Sequence, residues 1–153
     1  RQIAGGTALW HATRAAITVT AVAIVLAVFP GSRSWGLLPA IPFGVLTGVA
    51  FSTPLLAWAA TRETERSFPN IMRFAVTPLF LFGGSFFPIT ELPGWLQVVA
   101  KCTPLWHGVE LCRGSVHHTL SLTDALVHVG VLAGFAVAGY VCAVPAFRKR
   151  LSK

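Results

Sequence analysis

Between Leu37 and Ala60 the chain carries no Asp, Glu, Lys or Arg, and the same holds for Phe74–Thr90 and for Ala125–Phe147. A helix of about 20 mainly apolar residues matches the hydrocarbon thickness of a bilayer. An earlier run, Ala15–Phe29, is also apolar and extends back to Ala8 if Arg14 lifts its guanidinium to the interface. Runs of this length and purity predict helices that cross a membrane.

Composition agrees and removes the other classes. Charged residues make up 11% of the 153, against about 25% in a soluble domain. Hydrophobic residues make up 54%, and mean hydropathy is +0.69. A soluble globular enzyme is excluded, and so is disorder, which needs low hydrophobicity and high charge. Sustained heptads and a Gly-X-Y period are both missing, which removes extended coiled coils and collagen. The expected fold is all-α: a polytopic membrane helix bundle with four transmembrane helices and a short outer re-entrant or interfacial helical hairpin. It forms a single transmembrane domain over 1–153, with spans at about 8–29, 37–60, 74–90 and 125–147. The chain opens on Arg1 without a Met, so it is expected to be a piece of a longer protein. Residues 1–14 do not have the form of a signal peptide.

Breakers subdivide these spans. Pro30-Gly31-Ser32 ends the first. Pro39, Pro42 and Pro54 are expected to kink or shorten the second. Gly83-Gly84 and Pro88 predict that a straight third helix fails near Gly83. Pro145 lies near the end of the fourth, just before the basic tail 148–153.

The net charge of +7 sets orientation rather than partner type. One side of the bundle holds nine bases: Arg1, Arg14, Arg62, Arg66, Arg73, Arg148, Lys149, Arg150 and Lys153. The other holds three: Arg33, Lys101 and Arg113. The positive-inside rule then places both ends of the chain and the loop 61–73 in the cytoplasm of a multi-pass cell-membrane protein. The bases form no aromatic-interleaved face, so nucleic acid is not an expected partner; the bilayer is. The long piece Pro88–Asp124 is external. Its segments Leu92–Ala100 and Pro104–Leu111 read as two short helices at the outer interface, with Trp95 and Trp106 as belt residues.

Chemistry-bearing residues are sparse. Cys102, Cys112 and Cys142 form no Cys-x-x-Cys pair. Cys102 and Cys112 share the outer loop and either pair or act as small buried hydrophobes. His117-His118 beside His107 lacks a carboxylate at ligand spacing, so no metal site is assigned. His128 falls inside the last span, where a polar side chain needs a partner, and a helix–helix hydrogen bond is expected. No charged residue lies deep in a span, which argues against ion coupling and voltage sensing. Gly44-x-x-x-Gly48 and Gly130-x-x-x-Gly134 permit close helix contact, by default within the chain and otherwise at a dimer seam. The cytoplasmic loop Thr61–Arg73 mixes charge signs. It is either a solvated connector or a docking face, with Arg62, Glu63, Glu65 and Arg66 setting register and Phe68 as anchor.

The most informative stretch is Phe82-Gly83-Gly84-Ser85-Phe86-Phe87-Pro88 through Leu92-Pro93-Gly94-Trp95, followed by Pro104-Leu105-Trp106-His107-Gly108-Val109-Glu110-Leu111-Cys112-Arg113. The glycines break the third helix near its outer end, and the prolines redirect the chain along the interface. This pattern resembles the permeases of ABC-2 type exporters, closest to the nodulation-factor (lipo-oligosaccharide) and daunorubicin-resistance subgroup. The resemblance implies a six-span subunit of which these spans match the last four. It implies a second permease subunit (homo- or heterodimer) and a separate cytoplasmic ATP-binding subunit that drives export of an amphipathic substrate. The loop 61–73 would lie near that ATPase. Gly83, Gly84, Phe86, Phe87, Pro88, Leu92, Pro93, Pro104, Glu110 and Arg113 would form the outer gate or hairpin.

No Gly-x-x-x-x-Gly-Lys-Ser/Thr loop is present, so no catalytic residue is assigned, and ATP and Mg are expected on the partner. The function expected is thus that of a transmembrane permease subunit of an ATP-driven exporter for a lipid-like or drug-like cargo. The alternative is a passive channel or structural membrane subunit without ATP coupling. A membrane enzyme would have to be built from Glu91, Glu110, Asp124 and His107, and no spacing recommends them.

Overall fold

A computed structural model describes residues 2–29, 34–61, 67–85 and 89–151, and every described element is helical. In order these are α1 (Gln2–Val28), α2 (Leu37–Ala60), α3 (Ser67–Ile71), a π turn (Met72–Val76), α4 (Thr77–Phe80), a second π turn (Leu81–Ser85), a 3-10 turn (Ile89–Glu91), α5 (Gly94–Lys101), α6 (Pro104–Val116) and α7 (Leu122–Leu151). Among the described residues three helical stretches are long and apolar enough to cross a membrane: Gly5–Val28, Leu37–Ala59 and Leu122–Pro145.

The second apolar run is a helix with the expected bounds, but it is neither shortened nor interrupted by its prolines. Pro39 sits in the first turn, where its missing N–H is not needed. Pro42 and Pro54 lie inside an unbroken helix. Hydroxyls answer backbone carbonyls along the same stretch: Thr47 Oγ1 donates to Phe43 O at 2.7 Å, and Thr53 Oγ1 to Val49 O at 3.0 Å. In a medium without water, such bonds hide polar atoms that would otherwise be unpaired. The last helix starts at Leu122, three residues before the expected 125. Ser121 caps it, accepting the Thr123 N–H at 3.3 Å, and Asp124 in the first turn favours the positive end of the helix dipole.

The third apolar run departs from expectation. Up to Ser85 the run expected at 74–90 is not one helix but short α pieces alternating with π turns. Pro78 supplies no N–H to the preceding turn, and Gly84 has left the helical region altogether, with φ +83°. The break near Gly83 is where the sequence put it.

α2 is the hub. It packs most extensively on α7 and also on α1 and α6. Ala50, Leu111 and Leu132, from α2, α6 and α7, are fully buried at the point where these three helices meet. On the opposite face of α2, Gly44 and Gly48 take the side chains of Val19 and Ala15 from α1. The first small-residue motif is therefore a seam within the chain. The second is not: nothing lies within 4 Å of where a Cβ at Gly130 or Gly134 would sit.

Candidate functional site

The segment expected to form the outer hairpin holds the 3-10 turn followed by α5 and α6, and α6 carries the polar chemistry. Thr103 starts it as an N-cap, accepting the Trp106 N–H at 3.4 Å and donating to Ala100 O at 2.7 Å, with Pro104 in the first turn. At its far end Thr119 N–H reaches Gly114 O at 3.0 Å and His118 adopts φ 56°, which closes the helix. Ser34 Oγ donates to Val116 O at 3.0 Å, and Gly36 lies directly on the Ser115 carbonyl, so the entry to α2 is seated on the end of α6.

Two polar constellations lie along this helix. In the first, Arg113 Nη2 donates to the carbonyl of Gly84 at 2.7 Å, 29 residues earlier in the chain. Its Nη1 meets Glu110 Oε1 at 3.4 Å, one turn back on the same helix. Arg113 therefore grips the left-handed residue at which the third apolar run breaks. Around it, a Cβ at Gly83 would meet the Leu105 side chain at 2.8 Å, so the broken end and α6 are in close contact.

In the second, His107 Nδ1 lies 2.6 Å from His128 Nδ1 of α7. Trp106 stands edge-on to both imidazoles, with centroids 4.9 and 5.2 Å away. The partner that His128 needed is thus His107. Burial pushes the His107 pKa below its ordinary 6.5, His128 lowers it further, and the Lys101 main chain pulls it back up. Trp106 is not a belt residue: its indole Nε1 is buried without a hydrogen-bond partner, whereas Trp95 is 70% exposed. His117 and His118 are exposed and point to no shared centre with His107. Among the described residues no three metal-ligand side chains converge. Cys102 and Cys112 are not bonded to one another; Cys102 is exposed, and Cys112 Sγ lies 3.7 Å from Ala40 O, where burial pushes its thiol pKa up.

Of the residues singled out from sequence, Gly83, Gly84, Glu110 and Arg113 come together in one cluster. Pro104 is buried and lines an apolar groove of about 360 Å³ with Phe51, Trp58, Leu79 and Phe135, between α2, α4 and α7. Pro93 is the N-cap of α5, and Leu92 is tied to that helix by Gln97 Nε2, which donates to Leu92 O at 2.8 Å. Phe86, Phe87 and Pro88 lie outside the described residues, as do Arg62, Glu63, Glu65 and Arg66; Phe68 falls in α3. Sequence reasoning did not assign Thr47 and Gly108. Gly108 lies against the Thr47 side chain, closer than any Cβ would permit, and this contact sets the α2–α6 crossing.

The long apolar helices define an all-helical, polytopic membrane protein. Comparison with known families makes this specific: residues 2–116 match the ABC-2 type transporter family, and the chain belongs to it. Similar proteins include Nodulation protein J of Rhizobium meliloti (strain 1021), 31% identical over 95% of this chain and 55% of that protein. Nodulation protein J of Bradyrhizobium diazoefficiens is 32% identical over 95% of the chain and 55% of its own length. Nodulation protein J of Rhizobium leguminosarum bv. viciae is 28% identical over 97% and 57% respectively. The chain spans about half the length of the curated relatives it matches. No solved structure matches it.

Proposed function

We propose that this chain is part of the permease subunit of an ATP-driven exporter for an amphipathic, lipid-like cargo. Family membership over residues 2–116 carries the reading. In it, the stretch expected at 74–90, broken at Gly84, belongs to a further span beside the three long helices. The four spans correspond to the last four of a six-span subunit with cytoplasmic ends in the inner or plasma membrane. Two permease subunits assemble with a cytoplasmic ATP-binding subunit, which carries ATP and Mg. Irregular backbone at membrane depth is tolerated where protein covers it, and the α6 contacts at Gly83 and Gly84 supply such cover.

The mechanism we infer is alternating access. Closure of the ATPase moves the loop 61–73 as a lever, repacks the spans, and opens or seals the exit at the outer hairpin, with Phe86 and Phe87 at the gate. The uncharged groove beside Trp58 and Phe135 suits a hydrocarbon chain better than an ion. The relatives named for nodulation, together with the motif shared with the lipo-oligosaccharide subgroup, support a lipid-linked sugar as the cargo class.

The test is assembly. Full-length protein purified in mild detergent is expected to bring down a stoichiometric ATP-binding subunit, identified by mass spectrometry. Reversing charge at Arg62 and Glu63 together is expected to lower its recovery about tenfold, the loss of roughly 1.4 kcal/mol of docking energy. Unchanged recovery would remove the docking role from this loop. Reproducible absence of any ATPase, with ATP-independent flux in liposomes, would replace the exporter with a channel.

A further inference from the structure

We propose that His107 and His128 form one proton-binding site, and that binding of a second excess proton there releases α6 from α7. The argument is one of inventory. Two nitrogens 2.6 Å apart must share a hydrogen between them, one donating and one accepting. The neutral pair satisfies this when His107 and His128 adopt opposite tautomers. One added proton preserves the bond and strengthens it, because a charged donor then faces a neutral acceptor. A second added proton leaves no acceptor and sets two cations at hydrogen-bond distance. Nothing else in the contact can absorb that repulsion. His107 is 8% exposed and Trp106 stands against both rings, so water screens the charges poorly on the His107 side.

The surroundings do not neutralise the pair. Of the elements packed on α6 and α7, α2 and the π turn Leu81–Ser85 carry no titratable side chain, and α1 carries His11 and Arg14, a histidine and a cation with no carboxylate. α5 contributes Lys101, a further cation. On α6 itself Glu110 is committed to Arg113, and Cys112 faces Ala40. On α7, Asp124 stands one turn from His128, exposed at the helix start, and the remaining titratable groups are three turns or more away.

The direction with pH follows. His107 has its pKa lowered in the packed form, so that form keeps its full advantage above the ordinary value of 6.5 and loses it as pH falls below that. His128 is partly exposed and lies six residues into α7, so the pair sits near the start of that helix. By the charge distribution that end of α7 faces outward, and external acidity is the signal. The site stands on the geometry of two helices and does not rest on the exporter reading.

The experiment is amide hydrogen exchange of the full-length protein in nanodiscs at about pH 7.5 and about pH 5, corrected for intrinsic exchange. Exchange across Pro104–Val116 is expected to be at least roughly tenfold faster at the lower pH, since each pH unit below the ordinary value of 6.5 multiplies the open population by up to about ten until the lowered value of the packed form is reached. The His107→Gln/His128→Gln double variant keeps a donor and an acceptor but cannot titrate, and is expected to show the same exchange at both values. Wild-type exchange that does not change with pH would overturn the proposal, as would a double variant that responds like wild type. Histidine-labelled nitrogen spectra of the wild type give a check that needs no variant. Two coupled nitrogens sharing one hydrogen at neutral pH, lost on acidification, are expected; two independently titrating rings would overturn the site.

Discussion

Alanine at Gly139 is expected to destabilise the bundle by about 1–3 kcal/mol, through a single added methyl group. At this position a Cβ would lie 2.5 Å from the Pro54 nitrogen and 2.7 Å from both Pro54 Cδ and the Thr53 carbonyl carbon. These are backbone and ring atoms, and neither can rotate away. Proline fixes φ, so α2 cannot adjust locally to make room. The only relief is to move α7 off α2, and that is the most extensive contact in the fold. Helix association inside a membrane depends on close packing, because lipid tails are as apolar as the side chains they would replace. A gap opened along this seam is therefore not made good by hydrophobic burial elsewhere.

Gly134 provides the control. It lies on the same helix, and no atom sits within 4 Å of where its Cβ would be. Alanine there is expected to leave stability unchanged or raise it by up to about 1 kcal/mol, the ordinary gain in helix propensity. Unfolding of both variants in mixed micelles with rising denaturing detergent measures the contrast. If Gly139→Ala unfolds with wild type, α2 and α7 do not cross at Pro54. If Gly134→Ala keeps its stability but loses its assembly state, the open glycine face of α7 is the seam to a second subunit.

The bundle was legible because charge-free length is a one-dimensional property. The bounds of α2 are visible as the limits of the run Leu37–Ala60, and no tertiary knowledge is needed to see them. The break at Gly83-Gly84 was legible for a similar reason, since two glycines remove local support for a helix. The π turns were not, because an alternative helical register depends on which carbonyls neighbouring helices leave free. His128 shows where reading by cost reaches its limit. Its place in an apolar run demands a partner, but any of several groups could meet that demand, and only the packing of α6 on α7 selects His107. Trp106 fails in the opposite way. Its residue type suggests an indole N–H turned to the membrane interface, but that nitrogen is buried and the ring stands beside two imidazoles.

Loss of the Arg113 side chain is expected to weaken the joint between α6 and the broken helix by about 1.5 kcal/mol, the lower range for a hydrogen bond with one charged partner. The lower figure applies because the Arg113 side chain is 40% exposed, so water can replace part of the bond. Glu110→Gln is expected to cost about 0.5 kcal/mol or less: its contact is 3.4 Å long and similarly open to solvent. Arg113→Lys is expected to fall between them, since an ammonium can reach the Gly84 carbonyl but cannot hold Glu110 with a second nitrogen at the same time. The same joint can be loosened from its other side. Gly84 has φ +83°, and alanine there costs about 1–2 kcal/mol in backbone strain. Its new Cβ would also press on Ile89 Cγ2 at 3.3 Å. Because Arg113 holds the carbonyl of this very residue, the two losses overlap. The Gly84→Ala/Arg113→Ala double variant is expected to lose less than the sum of the single variants by at least about 0.5 kcal/mol, as neighbours sharing a bond do. Thermal unfolding of the four proteins closes this cycle. Strict additivity would show that Arg113 does not act through Gly84, and would leave the helical break supported by packing against Leu105, Ile89 and Trp106.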